Sequence, residues 1–138
     1  MKLAADANVL LSAVLGGRAK LILQRPEIEE VLTAEKVVAE LEEYAPYLAR
    51  KRGLNAELVL LAVSALPVTI IGRAGYAAAL AEAEARIGSR DPDDVDLLAL
   101  ALQFRLPVWS NDNDFADSGV EWYTTAQLLK LLKISGRG

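Results

Sequence analysis

Short apolar runs alternate along this chain with longer stretches whose apolar positions recur every three or four residues. The first pattern predicts strands and the second helices. Leu3–Ala5 reads as a buried strand, and Asp6-Ala7-Asn8 opens a helix through Val14 that Gly16-Gly17 ends. A short helix is expected over Arg18–Gln24 and a strand over Glu30–Thr33. Thr33 is then expected to cap a helix carrying Val37, Val38, Leu41, Tyr44 and Leu48 on its apolar side, with Lys36 at its third position. Arg50-Lys51-Arg52-Gly53 stops that helix. Asn55 caps a helix over Ala56–Leu66 that is apolar on every side, so core or a partner must cover it. Val68–Ile71 is a β-branched strand and Gly75–Arg86 an alanine-rich helix. Asp91 caps the next helix, with Pro92 in its first position, and this helix runs to about Phe104. Leu106–Ser110 and Val120–Tyr123 are the last strands, separated by a polar loop over Asn111–Asp117. Thr124 or Thr125 caps a final helix through Leu132, and residues 135–138 read as a frayed tail.

Strands alternating with helices imply an α/β fold with a mostly parallel sheet and helices on both faces. At 138 residues the chain suits one domain, expected over residues 1–134. The apolar stretch Leu58–Ile71 is broken by Ser64, Pro67 and Thr69, too short to span a bilayer, and no signal-peptide pattern opens the chain. With no membrane segment and no cysteine, a cytoplasmic protein is expected.

Composition narrows the chemistry sharply. The chain has no histidine and no cysteine. That excludes a disulfide, a catalytic thiol, a Ser-His-Asp triad and a Cys/His zinc site. Any metal must sit on oxygen ligands, and proton transfer must use Asp, Glu, Lys, Tyr or water. A net charge of −4 argues against broad electrostatic binding of nucleic acid, but not against brief binding at a metal site.

The acids stand where the predicted strands end. Asp6 follows the first strand, and Asp112 follows Leu106–Ser110. Asp94 precedes the apolar run Leu97–Leu102. In an open parallel sheet the strand carboxyl ends share one edge, where ligands bind. Carboxylates gathered there repel by roughly 4 kcal/mol at about 4 Å and an effective dielectric of about 20. A proton or a hard cation such as Mg²⁺ must offset that. Each acid also has a structural explanation. Asp6 and Asp91 suit helix caps, and Asp93, Asp94 and Asp96 suit the helix dipole. Asp112 and Asp114 suit an Asx-rich turn; in an extended chain both would point the same way. Glu40 borders the buried stripe of its helix, although a lone glutamate is usually a solvated face. Asp94 and Asp96 lie about 200° apart around a helix, so both cannot line one small site.

Four segments together resemble the PIN-domain nuclease family, which includes the VapC-like toxins of VapBC toxin–antitoxin pairs. They are Asp6-Ala7-Asn8-Val9-Leu10-Leu11-Ser12-Ala13, Val38-Ala39-Glu40-Leu41, Asp94-Val95-Asp96-Leu97-Leu98-Ala99-Leu100-Ala101 and Ser110-Asn111-Asp112-Asn113-Asp114-Phe115. The resemblance implies a five-stranded parallel sheet of order 3-2-1-4-5 within a three-layer α/β/α fold. It implies catalytic acids at Asp6, Glu40, Asp94 and Asp112, with metal ligands at Asp6, Asp94, Asp112 and Asp114. Asn8 and Ser110 match supporting polar positions, Ser110 standing where the family more often has threonine. Asp96 is an extra acid beside Asp94, leaving either as the ligand of that helix.

The implied activity is Mg²⁺- or Mn²⁺-dependent hydrolysis of RNA phosphodiesters. The implied partners are the RNA, a cognate antitoxin and a second copy of the chain. Arg18, Lys20, Arg50, Lys51 and Arg52 are candidates to grip RNA, although the helix dipole accounts for the Arg50 cluster. Two rivals remain: a receiver-type phosphoacceptor domain and a non-catalytic interaction module. The receiver design needs a lysine after a late strand, and Leu106–Phe115 has none.

Overall fold

The structure is a computed structural model that describes residues 1–133. The expected tail over 135–138 and boundary at 134 lie outside the described residues.

The first strand, β1 (Lys2–Ala5), buries Leu3, Ala4 and Ala5 completely, as a strand with neighbours on both edges must. The helices α1 (Ala7–Val14) and α2 (Ala19–Leu23) follow, then β2 (Glu30–Ala34) and the long α3 (Glu35–Lys51). Next come α4 (Ala56–Ser64), β3 (Thr69–Ile71) and α5 (Leu80–Ile87). The buried helix α6 (Val95–Phe104), β4 (Val108–Trp109), β5 (Trp122–Tyr123) and α7 (Thr125–Leu131) complete the described chain. The strands form one sheet in the order β3-β2-β1-β4-β5, every pairing parallel, flanked by helices. Strand order reverses direction at β1, and ligand sites of open α/β sheets lie at such a point.

Register brings the decisive residues together. Ala5 pairs with Trp109, and Trp109 with Tyr123. Asp6 N–H donates to Trp109 O at 3.0 Å, and Ser110 N–H to Tyr123 O at 3.0 Å. Asp6 and Ser110 therefore leave the sheet side by side. On the other flank α6 packs against β1 and β2, with Val95 through Ala101 all buried.

Three local expectations fail, each for a tertiary reason. Thr33 does not cap α3. It lies in β2, and its buried hydroxyl donates to Ala5 O at 2.8 Å, leaving Ala34 at the cap with no side-chain bond. The helix expected from Gly75 begins at Leu80, preceded by 3₁₀ turns at Arg73–Gly75 and Ala77–Ala79. Between them Tyr76 breaks the helical path at φ −130° and is buried with its hydroxyl on Asp96. Asp91 precedes a 3₁₀ turn, Pro92–Asp94, and its side chain makes no capping bond. At the last helix the choice resolves to Thr124, which forms a full capping box with Gln127.

Candidate functional site

Asp6 is both cap and pocket residue. It is 7% exposed. One carboxylate oxygen accepts from Ala7 N–H at 2.8 Å, opening α1. The other accepts from the Ser110 hydroxyl at 2.8 Å and from Asn8 Nδ2 at 3.2 Å. Burial raises the Asp6 pKa, the Ser110 and Ala7 bonds oppose that, and the charges of Asp112 and Asp114 raise it further.

Asn8 ties the two strand ends together. Its amide nitrogen also donates to Asp112 Oδ2 at 2.9 Å and approaches Ser110 Oγ at 3.3 Å. Its amide oxygen accepts from Asn111 N–H at 3.2 Å. Ser110 Oγ also accepts from Asp112 N–H at 3.1 Å, so one hydroxyl holds the Asp6 carboxylate and the Asp112 backbone. Trp122 Nε1 donates to Ser110 O at 2.8 Å, and Thr125 N–H donates to Asn111 Oδ1 at 2.9 Å. The loop after β4 is thus pinned by β5 and α7.

Asp94 completes the approach from the end of the 3₁₀ turn that leads into α6. A hollow of about 380 Å³ is lined by Asp6, Ala7, Asn8, Leu11, Glu40, Leu41, Tyr44, Asp94 and Asp112. Burial, the charge of Asp6 and a hydrogen bond to Asp114 available to its protonated form push Asp94 up to about 8. Without a cation, a proton relieves the crowding. Asp91, Asp94 and Asp114 form the one group of three carboxylates among the described residues with oxygens within 4.8 Å of one another. Asp114 reaches it from the 3₁₀ turn Asn113–Phe115, so it and Asp112 do not share one side of an extended strand. Glu40 enters from α3, half-buried. Its pKa is raised by burial and by Asp93, Asp6 and Asp96, and lowered by Lys36.

The structure separates Asp96 from this pocket. Asp96 is 5% exposed, accepts from the Tyr76 hydroxyl at 2.5 Å, and has Lys36 Nζ at 3.9 Å and Arg73 Nε at 3.7 Å. It lines a different hollow, with Glu35, Lys36, Ala39, Arg73 and Tyr76. Among the basic candidates, Arg52 borders a hollow that shares Asn8 and Leu11 with the acid pocket, whereas Arg50 and Lys51 occupy the last turn of α3.

Two residues, one in the carboxylate group and one lining the hollow, carry little signal of that place in the sequence. Asp91 suits a helix cap, although it stands three residues before Asp94. Tyr44 reads as part of the apolar side of its helix, although it stands one turn after Glu40.

A pocket of carboxylates, fed from both sides of the reversal point in a 3-2-1-4-5 sheet, defines an α/β protein with an anionic site at its sheet edge. The chain belongs to the PIN-domain family, whose model matches residues 5–133. No curated protein matches it by sequence. Among similar solved structures is VapBC2 from Rickettsia felis bound to a promoter DNA fragment, with 14% identity and TM-score 0.64, covering 90% of this chain and 98% of that one. FitAcB from Neisseria gonorrhoeae is 20% identical with TM-score 0.60, over 90% and 98% of the two chains. VapC20 from Mycobacterium tuberculosis, a sarcin-ricin loop cleaving toxin, is 17% identical with TM-score 0.61, over 86% and 95%. At these identities the likeness is one of fold.

Proposed function

We propose that this PIN domain is a divalent-metal-dependent endoribonuclease, the toxin of a VapBC-type pair, working in the cytoplasm. One observation carries the reading: Asp6, Glu40, Asp94 and Asp112, remote in sequence, line one hollow with Asp91 and Asp114 beside it. The similar toxins, VapC20 among them, support the same direction.

The donor set fits a hard cation. It offers only oxygen ligands, and Asp6 and Asp94 are held above the usual carboxylate range by burial and by the charges of neighbouring acids. Asp94 with Asp114 and Asp91, next to Asp6 and Asp112, would hold Mg²⁺ or Mn²⁺. When bound, the ion supplies charge compensation and Lewis-acid polarisation of the phosphodiester.

The chain's own groups do the positioning. Ser110 and Ala7 N–H fix the Asp6 carboxylate, and Asn8 holds Asp112 against the same cluster. Glu40, lifted by burial, accepts the proton of the attacking water as its oxygen bonds phosphorus and the opposite P–O bond breaks. The leaving oxygen takes a proton from solvent. RNA is a polyanion and the pocket is acidic, so RNA enters only with the cation.

A cognate antitoxin and a second copy are the protein partners of this reading. The exposed Leu58 and Leu61 of α4 are left uncovered within the chain and offer a surface for one of them. The test is Mn²⁺ titration alongside RNA cleavage. Wild type should bind Mn²⁺ and cut RNA only with metal, and Asp6→Asn should lose both. A normally folded wild type that binds no Mn²⁺ would refute the reading.

A further inference from the structure

We propose that the acid pocket also seats one unpaired nucleobase, stacked on Tyr44, beside the phosphodiester being cut; the inference rests on the ribonuclease reading above. A cation and its waters seek oxygen and gain nothing from an apolar wall. Yet Ala7, Leu11, Leu41 and Tyr44 line the hollow of about 380 Å³ together with the acids. A ribonucleotide matches both halves: its phosphate belongs with the ion, and its flat base belongs against an aromatic face.

Tyr44 is placed for that contact. It follows Glu40 by four residues on α3, so ring and carboxylate share one helix face about one turn apart. Tyr44 is 51% exposed as a residue although it borders the pocket, so it is not part of the buried core. Tyr47 braces it, with ring centroids 5.7 Å apart and planes tilted by 44°. Its place among acids separates Tyr44 from the exposed leucines of α4, whose apolar surroundings suit protein. Stacking needs a free π-face, so the geometry selects a single-stranded or looped nucleotide over a paired one.

The experiment uses the full chain with Ca²⁺, an oxygen-seeking ion for the acid site, and fluorescence anisotropy of a short single-stranded RNA. Tyr44→Ala should weaken binding roughly five-fold or more, the loss expected for one base–aromatic stack. Tyr44→Phe, which keeps the ring, should bind as wild type does. A fully paired RNA should be insensitive to Tyr44→Ala, and Mn²⁺ affinity should be unchanged, showing an intact acid site. With Mn²⁺ and single-stranded RNA, Tyr44→Ala should raise KM more than it lowers kcat.

Unchanged single-strand affinity in Tyr44→Ala, as expected if the ring docks a protein instead, would overturn the inference while leaving the nuclease reading standing. An equal loss on paired RNA would also overturn it. Wild type that neither binds nor cuts RNA with metal present would remove both together.

Discussion

Ser110 shows how one small side chain organises the pocket. Its buried hydroxyl donates to Asp6 and accepts from Asp112 N–H and Asn8. Ser110→Ala leaves a buried carboxylate short of a donor, which costs about 1–3 kcal/mol of stability. The expected result is a lower urea midpoint and weaker Mn²⁺ binding, with more retained in Ser110→Thr, which keeps the hydroxyl. Asp94 sets a pH signature. Its folded pKa, about 8, lies above the ordinary value of 3.8, so the metal-free folded state holds a proton that the unfolded chain has released. Stability then falls as pH rises from about 4 towards 8, because the unfolded state binds fewer protons across that window. A thermal-melt series without metal should show this decline, and Asp94→Asn should flatten it. Mn²⁺ competes with the same proton, so its affinity should climb over the same range.

Elements deliver these side chains, and their local sequences account for most of it. Asn55 accepts from Glu57 N–H at 2.9 Å and Leu58 N–H at 3.1 Å, starting α4. Asn55→Ala should cost about 1 kcal/mol by chemical denaturation, with the pocket untouched. The convergence of the acids was legible in the sequence because apolar runs ending in acids mark both a strand and its carboxyl end, whereas strand order was implied only by the resemblance to the family. The separation of Asp94 from Asp96 was legible too, from helical periodicity alone. Less legible were features decided across the fold. The alanine-rich pattern around Gly75 favours a helix, but burying Tyr76 on Asp96 overrides it. Thr33 has capping chemistry, but the Ala5 carbonyl on the neighbouring strand claims its hydroxyl. Asp91 satisfies a capping rule in sequence, and its meeting with Asp114 depends on the loop after β4.

At the scale of the molecule, a sheet that reverses order at β1 collects charge that would otherwise drive the pocket apart. A chain of net charge −4 that concentrates acids at one edge is poorly made to attract RNA alone. In the proposed metal-dependent reading a cation would link stability to function: an ion that binds only the folded state stabilises it by about 2.7 kcal/mol at one hundred times its Kd. Crystals grown with Mn²⁺ and measured for anomalous scattering test the central claim most directly. The expected result is a peak in the acid pocket within bonding distance of an Asp94 oxygen, absent from Asp94→Asn crystals. A well-ordered pocket at pH 8 and millimolar Mn²⁺ with no peak among Asp6, Asp91, Asp94, Asp112 and Asp114 would contradict it.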